Sequence, residues 1–216
     1  MNRGIIYVAW GERHVLHAIE SAKTSPYPTA LITSTPEFAG NHFDHLIVRD
    51  FNEYARMSVM YRKMEAFLYS PFENSLFLDV DTSIIGNIDL GFRLSEKFGF
   101  SAVIASGMSF LWKDIEYVHF NGGVVFFKGK PIQWIDKVFE IQKEFSHDPC
   151  EEPVWSIAWE QTTFPAVLPF IYNCNFSGEV HQRDIRIWHS YRPIRTKIVN
   201  KAIDDASQLN AVDFVM

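Results

Sequence analysis

The stretch SLFLDVDT at residues 75–82 constrains the fold more than any other part of the chain. Its apolar residues at 76–78 follow a turn-like segment, SPFEN at 70–74, and an unbroken apolar run is typical of a strand buried on both faces. Such strands belong to parallel sheets in α/β proteins. Asp79 and Asp81 stand where this strand ends. Since ligands of open α/β sheets bind beyond the carboxyl ends of the strands, the sequence predicts an α/β fold with two acids at its binding edge.

The spacing of Asp79 and Asp81 favours a metal site. Once the strand gives way to a turn, both side chains lie near one small volume, and paired hard oxygens suit a divalent cation that carries phosphate oxygens. Aspartate is also common in ordinary turns, so the pair alone does not distinguish the two interpretations. The apolar strand in front of it and the motifs downstream favour the metal site.

Length, composition and charge bound the class of protein. The 216 residues suffice for one sizeable domain, and 47% hydrophobic residues allow a large core. The formal net charge of −6 argues against broad binding of nucleic acid or anionic membranes. Cys150 and Cys174 lack the spacing of a zinc site or a disulfide framework. With no apolar run of about 18 residues and no signal-like amino terminus, we expect a soluble, cytoplasmic protein without a membrane segment.

Hydrophobic periodicity predicts alternating strands and helices. The predicted strands lie at residues 4–10, 30–33, 45–48, 75–78, 101–105, 120–128, 167–171 and 185–188. The predicted helices lie at residues 15–22, 53–69, 131–145 and 154–159. We expect residues 83–100 to be a linking stretch and the tail from residue 197 to be polar helix or coil.

The order of these elements, together with four short motifs, resembles the nucleotide-sugar glycosyltransferases of the GT-A fold, with family 8 and its relatives closest. The motifs are DVD at 79–81, NGG at 121–123, EEP at 151–153 and IWHSYRP at 187–193. The resemblance implies one GT-A domain over residues 1–216, with a mostly parallel central sheet flanked by helices. Residues 1–82 would form its Rossmann-like nucleotide half, and residues 83–216 would bind the acceptor and complete the metal site.

The resemblance also implies a set of metal ligands. Asp81 and His189 would bind the metal, and Asp79 would contact the metal or the ribose. The chemistry agrees, because a cation bridging the two phosphates of a sugar nucleotide stabilises the charge that grows on the leaving group. Ligation by carboxylate and imidazole together favours Mn²⁺ over Mg²⁺.

The nucleotide is expected over the carboxyl end of the first strand. Ala9, Trp10 and Gly11 bring backbone close there, and Trp10 offers a stacking face, although the ring also suits a core position. Asp50, which ends the third strand, is a candidate contact to the base or ribose.

Three further segments are candidate donor contacts. Asn121, Gly122 and Gly123 let backbone approach the sugar, although a glycine pair is also typical of a β-bulge. Lys63 matches a basic position that contacts the donor in the resembling enzymes, and a solvated helix face is the alternative. Arg192 replaces the Gly or Lys usual in the family's carboxyl-terminal motif, and we expect it, or a basic residue at 195 or 197, to contact the phosphates.

The stereochemistry of transfer decides whether a base is needed. Inversion requires a carboxylate that accepts the proton of the acceptor hydroxyl, and Glu151, Glu152 and Asp148 are the candidates. Retention by a front-face mechanism relies on the leaving phosphate instead. The resemblance implies retention, and the acidic pair leaves inversion open.

We therefore predict an Mn²⁺-dependent (or Mg²⁺-dependent) enzyme that moves a hexose-like sugar from a nucleotide diphosphate, with uridine favoured, to a hydroxyl of a glycan or protein. The first alternative is a phosphohydrolase of the haloacid dehalogenase type, because FLDVDTS also fits its motif with Asp79 as the nucleophile. Three predicted strands precede the strand that ends at Asp79, whereas that family has the motif after its first strand. The second alternative is a non-catalytic module that binds a glycan or nucleotide, against which the intact Asp79, Asp81 and His189 argue.

Overall fold

The computed structural model describes residues 2–52, 59–145, 151–174 and 184–190, without the side chains at 59–60 and 106–108. The strands are β1 (Arg3–Ala9), β2 (Thr29–Thr33), β3 (His45–Val48), β4 (Asn74–Leu78), β5 (Thr82–Ile84), β6 (Phe100–Trp112), β7 (Ile115–Lys128), β8 (Ala166–Leu168) and β9 (Ile187–His189). The α-helices are α1 (Gly11–Ala22), α2 (Glu65–Tyr69), α3 (Asp89–Phe98), α4 (Ile132–Gln142) and α5 (Glu151–Gln161). Short 3₁₀ helices cover Pro36–Phe38, Val59–Met64 and Phe170–Tyr172.

Seven of these strands form one mixed sheet in the order β3-β2-β1-β4-β7-β6-β8. The strands β3, β2, β1 and β4 are parallel to one another, and β8 is parallel to β6. Within the described part of this sheet, β7 alone runs opposite to the other strands, so it pairs antiparallel with β4 and β6. The predicted α/β fold with a mostly parallel central sheet is therefore confirmed.

The strand β4 lies in the middle of the sheet, and all five of its residues are buried. Phe77 faces a cluster that includes Phe67 of α2, while Leu76 and Leu78 face a second cluster that includes Phe92 of α3. Helices therefore cover both faces of β4, which is why its last three residues, 76–78, form an unbroken apolar run. The buried strand gives the acids that follow it a rigid support.

A second, two-stranded sheet brings a distant segment to the end of β4. The strand β5 begins directly after Asp81 and pairs antiparallel with β9, so that Thr82 lies opposite His189. The backbone N–H of Ser190 donates to the carbonyl oxygen of Asp81 at 3.2 Å. This pairing fixes His189 beside the acidic turn.

Several element predictions were wrong in detail. The expected linking stretch contains β5 and α3, and α3 carries Gly91 because a Cβ there would lie 2.3 Å from the Phe126 ring. The segment predicted as one helix is a 3₁₀ helix followed by α2, with residues 53–58 outside the described residues. The strand predicted at 167–171 ends at Leu168, because Pro169 and a 3₁₀ turn follow. The tail from residue 197 lies outside the described residues.

Within the described ranges, every helix is too short or too polar to cross a membrane.

Candidate active site

The three predicted metal ligands lie together at the carboxyl end of β4. One ligand atom from each of Asp79, Asp81 and His189 falls within 4.8 Å of the others. His189 Nε2 is 3.0 Å from Asp81 Oδ1 and 3.9 Å from Asp79 Oδ2. The imidazole side chain is only 2% exposed, whereas the two carboxylates are 21% and 18% exposed. The cluster therefore brings two partly exposed carboxylates next to a buried imidazole nitrogen, and this oxygen and nitrogen donor set suits a divalent transition metal.

Local backbone contacts hold the acidic turn in place. The N–H of Asp79 donates to the carbonyl oxygen of Gly123 on β7 at 2.8 Å. The hydroxyl of Thr82 donates to the carbonyl oxygen of Asp79 at 2.7 Å, which closes the turn that contains both acids. Asp79 is therefore held through its N–H by β7 and through its carbonyl oxygen by Thr82, the first residue of β5.

Gly123 occupies a position that has no room for a side chain. A Cβ there would lie 2.5 Å from His189 Cε1 and 2.8 Å from Asp79 Oδ2. Real Cβ atoms almost never approach other atoms so closely, so an alanine here would displace the imidazole or the carboxylate. The glycine is required by this close approach of the cluster to β7.

Lys63 is buried beside the cluster and is not on a solvated helix face. Its ammonium group lies 2.8 Å from Asp79 Oδ1 and 2.6 Å from Glu151 Oε1, and the residue is 7% exposed. Burial alone would lower the pKa of Lys63, but the adjacent Asp79 and Glu151 carboxylates outweigh it and raise that pKa above its ordinary value. The site therefore holds a permanent buried cation between two acids.

The two described base candidates are both engaged in contacts. The Glu151 side chain is 3% exposed and bonded to Lys63. Glu152 Oε1 accepts hydrogen bonds from Asn121 Nδ2 and from the N–H of Gly122, both at 2.8 Å, and Oε2 lies 3.3 Å from His119 Nε2. Burial opposes ionisation of Glu152, but the bonds from His119 and Gly122 prevail and lower its pKa. Asp148 lies outside the described residues.

Asn173, which no sequence pattern indicates, lies behind His189. Asn173 Oδ1 is 2.6 Å from His189 Nδ1, and Asn173 Nδ2 donates to Asn121 Oδ1. The residue is 7% exposed and follows the 3₁₀ turn Phe170–Tyr172. A single asparagine in an irregular segment carries no signal by itself, because asparagine is common in turns.

The candidate nucleotide contacts lie at the carboxyl ends of β1 and β3. Ala9 is 1% exposed, and the Gly11 N–H donates to Thr35 Oγ1 at 3.0 Å. The ring of Trp10 is partly buried, and the Arg62 guanidinium lies 4.9 Å from its centre. Asp50 is exposed and bonds to Asn52.

Because β1 is hydrogen-bonded to β4, the ends of these strands lie along one edge of the sheet with the acidic cluster. Arg192, Arg195 and Lys197 lie outside the described residues.

This architecture is the GT-A type fold found in glycosyltransferases. The structure is similar to an active-site mutant of LgtC, with a TM-score of 0.65 and 11% identity over 94% of this chain and 95% of that chain. It is also similar to the apo form of the glycosyltransferase GlyE from Streptococcus pneumoniae, with a TM-score of 0.62 and 11% identity. A further GlyE structure gives a TM-score of 0.61 and 9% identity. The matches span 65% and 60% of the two GlyE chains. No protein-family model matches the sequence, and neither does any curated protein.

Proposed function

We propose that this chain is a metal-dependent glycosyltransferase that moves a sugar from a nucleotide diphosphate to an acceptor hydroxyl. The observation that carries the proposal is the Asp79–Asp81–His189 cluster at the carboxyl end of β4 in a GT-A fold. Two carboxylates and an imidazole at the binding edge of such a sheet are arranged for a cation that binds phosphate. The resemblance of the sequence motifs to family 8 supports the same function.

Asp81 and His189 would hold the cation, and Asp79 would bind the cation or the ribose. A divalent ion held by these residues would supply positive charge for the leaving diphosphate. The mixed oxygen and nitrogen donor set favours Mn²⁺ over Mg²⁺. The proposed role of Lys63 is to fix Asp79, because its ammonium group contacts both oxygens of that carboxylate, at 2.8 and 3.1 Å.

The proposed donor is a sugar nucleotide, with uridine as the favoured base. The nucleoside would lie over the end of β1, at Ala9, Trp10 and Gly11, with Asp50 as a further contact. Trp10 is partly buried and keeps an exposed fraction, which supports stacking against a base. The sugar would lie beside the NGG segment at 121–123, and Arg192 is the proposed phosphate contact. A glycan or protein hydroxyl is the proposed acceptor.

Among the described base candidates, Glu151 and Glu152, the contacts favour retention of the anomeric configuration. Inversion needs a carboxylate that is available to accept a proton. The ion pair with Lys63 occupies Glu151. Asn121 and Gly122 donate hydrogen bonds to the Glu152 carboxylate, and Gly122 and the adjacent His119 ring lower its pKa. A front-face mechanism avoids this requirement, because an oxygen of the leaving phosphate accepts the proton.

A thermal unfolding screen of nucleotide sugars, with and without Mn²⁺, tests the proposal. A ligand at 100 times its Kd stabilises the folded state by about 2.7 kcal/mol. For a chain of this size that corresponds to a rise in Tm of roughly 5–10 °C. We expect this shift with a UDP-sugar and Mn²⁺ together, and little shift after chelation of the metal.

Stabilisation that is equal with and without the metal would contradict the proposal. The ligand found by the screen is then incubated without acceptor. Slow Mn²⁺-dependent hydrolysis of the sugar nucleotide is expected of an enzyme and excludes a binding module. A covalent phosphate trapped on Asp79 would instead identify the phosphohydrolase.

A further inference from the structure

A chain of hydrogen bonds connects Glu152 to His189 through two asparagines. Glu152 Oε1 accepts from Asn121 Nδ2 at 2.8 Å, Asn121 Oδ1 accepts from Asn173 Nδ2, and Asn173 Oδ1 lies 2.6 Å from His189 Nδ1. Its members come from α5, β7, the segment after a 3₁₀ turn, and β9. This chain of hydrogen bonds therefore joins four segments that are far apart in the sequence.

The direction of the first bond is fixed by groups that have only one hydrogen-bonding role. An ionised carboxylate only accepts, so Asn121 must turn its NH₂ group toward Glu152. The backbone N–H of Gly123 only donates, and it lies 2.9 Å from Asn121 Oδ1. The two contacts therefore give the same orientation of the Asn121 amide, with its NH₂ group toward Glu152 and its oxygen toward the N–H of Gly123.

The remaining directions follow from this assignment. Because Asn121 Oδ1 accepts, Asn173 must present its NH₂ group to it, and its own oxygen then faces the imidazole. An amide oxygen cannot donate, so His189 Nδ1 must carry a hydrogen to make the 2.6 Å contact. The other ring nitrogen, Nε2, is the one that faces Asp81 and Asp79.

We infer that Glu152, Asn121 and Asn173 form a positioning chain that keeps the hydrogen of the His189 ring on Nδ1 and directs Nε2 at the metal position. The inference rests on the proposed function, because it assigns these residues a role toward the cation. Histidines that ligate metals commonly donate their second ring N–H to such a partner, which fixes the orientation of the ring. Glu152 is then a positioning residue that acts through Asn121 and Asn173, rather than a base.

Burial makes the arrangement hard to replace. His189 is 2% exposed and Asn173 is 7% exposed, so water has little access to substitute for a lost partner. Asn173 is also bonded at both ends of its amide, which opposes a flip of the side chain. Removing the side chain of Glu152 or of Asn173 is therefore expected to release the ring.

The direct test locates the hydrogen of His189 without metal or substrate. Long-range ¹H–¹⁵N correlation spectra of histidine-labelled protein distinguish a protonated Nδ1 from a bare one, and a His189→Gln variant identifies the signals. The spectra are recorded at a mildly alkaline pH. We expect a protonated Nδ1 in the wild-type protein. A bare Nδ1 would overturn the inference.

Substitutions at Glu152 separate positioning from general base catalysis. Glu152→Gln keeps an oxygen that accepts from Asn121 and Gly122, and we expect its Mn²⁺ affinity, measured by calorimetry, to equal that of the wild type. Glu152→Ala and Asn173→Ala remove links of the chain, and their Kd for Mn²⁺ is expected to rise about 10- to 100-fold. Unchanged affinity in both folded alanine variants would overturn the inference.

The two measurements fail independently. A protonated Nδ1 in a wild-type protein that binds no Mn²⁺ would overturn the proposed function and leave the assigned ring orientation standing. Tight Mn²⁺ binding by a protein whose Nδ1 is bare would overturn the positioning chain and leave the proposed function standing. If Asn173→Ala does not fold, the Mn²⁺ affinities of Glu152→Gln and Glu152→Ala decide whether the hydrogen-bond chain positions His189.

Discussion

Replacing Asp81 with asparagine is expected to weaken Mn²⁺ binding at least about 100-fold, because even the loss of an outer partner of a metal ligand costs about 10- to 100-fold. The reason is the position of its carboxylate, 3.0 Å from His189 Nε2 and within 4.8 Å of an Asp79 oxygen. An amide keeps the shape of the side chain but loses the negative charge. The measurement is calorimetric titration with Mn²⁺, followed by titration of the loaded protein with the sugar nucleotide.

Asp136→Asn is the matched control for this prediction. Asp136 is an exposed residue of α4, so the same chemical change there is expected to leave the Mn²⁺ affinity unaltered. Comparing the two variants separates a site effect from the loss of one negative charge. Equal Mn²⁺ affinity in the Asp81 and Asp136 variants would exclude Asp81 as a ligand.

Replacing Lys63 with methionine is expected to lower the free energy of unfolding by about 3–5 kcal/mol, the usual cost of breaking a buried ion pair from one side. The substitution removes the cation that contacts Glu151, whose side chain is 3% exposed. A buried carboxylate without its partner is far more costly than a lost surface pair. Asp79 adds less to the cost, because at 21% exposure it remains accessible to water. Urea denaturation measures the change.

Two further variants test the cause of this destabilisation. Lys23→Met removes a cation that pairs with Glu20, where both side chains are more than half exposed, and should change stability by less than about 1 kcal/mol. The double variant Lys63→Met with Glu151→Leu removes the stranded charge as well, and we expect it to recover much of the loss. A Lys63 variant that is no less stable than the Lys23 variant would show that the buried pair is not formed.

The sequence was sufficient for the parts of the fold that local patterns encode. The run at 76–78 predicted the buried strand β4 correctly, because helices cover both faces of the strand and its residues there are all apolar. The same reasoning failed for α3, because Gly91 weakens the helical pattern and its reason, contact with Phe126, is tertiary. The three-residue strands β5 and β9 were too short to be recognised as a pair.

The site was predictable only where a motif carries the chemistry. Asp79 and Asp81 stand out in the sequence, whereas His189 was singled out through a family resemblance, since its place depends on the pairing of β5 with β9. The burial of Lys63 depends on Glu151, which is 88 residues away, so its helix pattern also allowed a solvated face. Asn173 contacts Asn121 across 52 positions, a relation that no local pattern contains.

The most direct test of the proposed metal site is anomalous diffraction at the manganese edge from crystals soaked with Mn²⁺ and UDP. We expect one strong peak beside the carboxylates of Asp79 and Asp81, on the side that His189 Nε2 faces, with the diphosphate next to it. Crystals that bind UDP but show no manganese peak beside these carboxylates would contradict the proposed metal site.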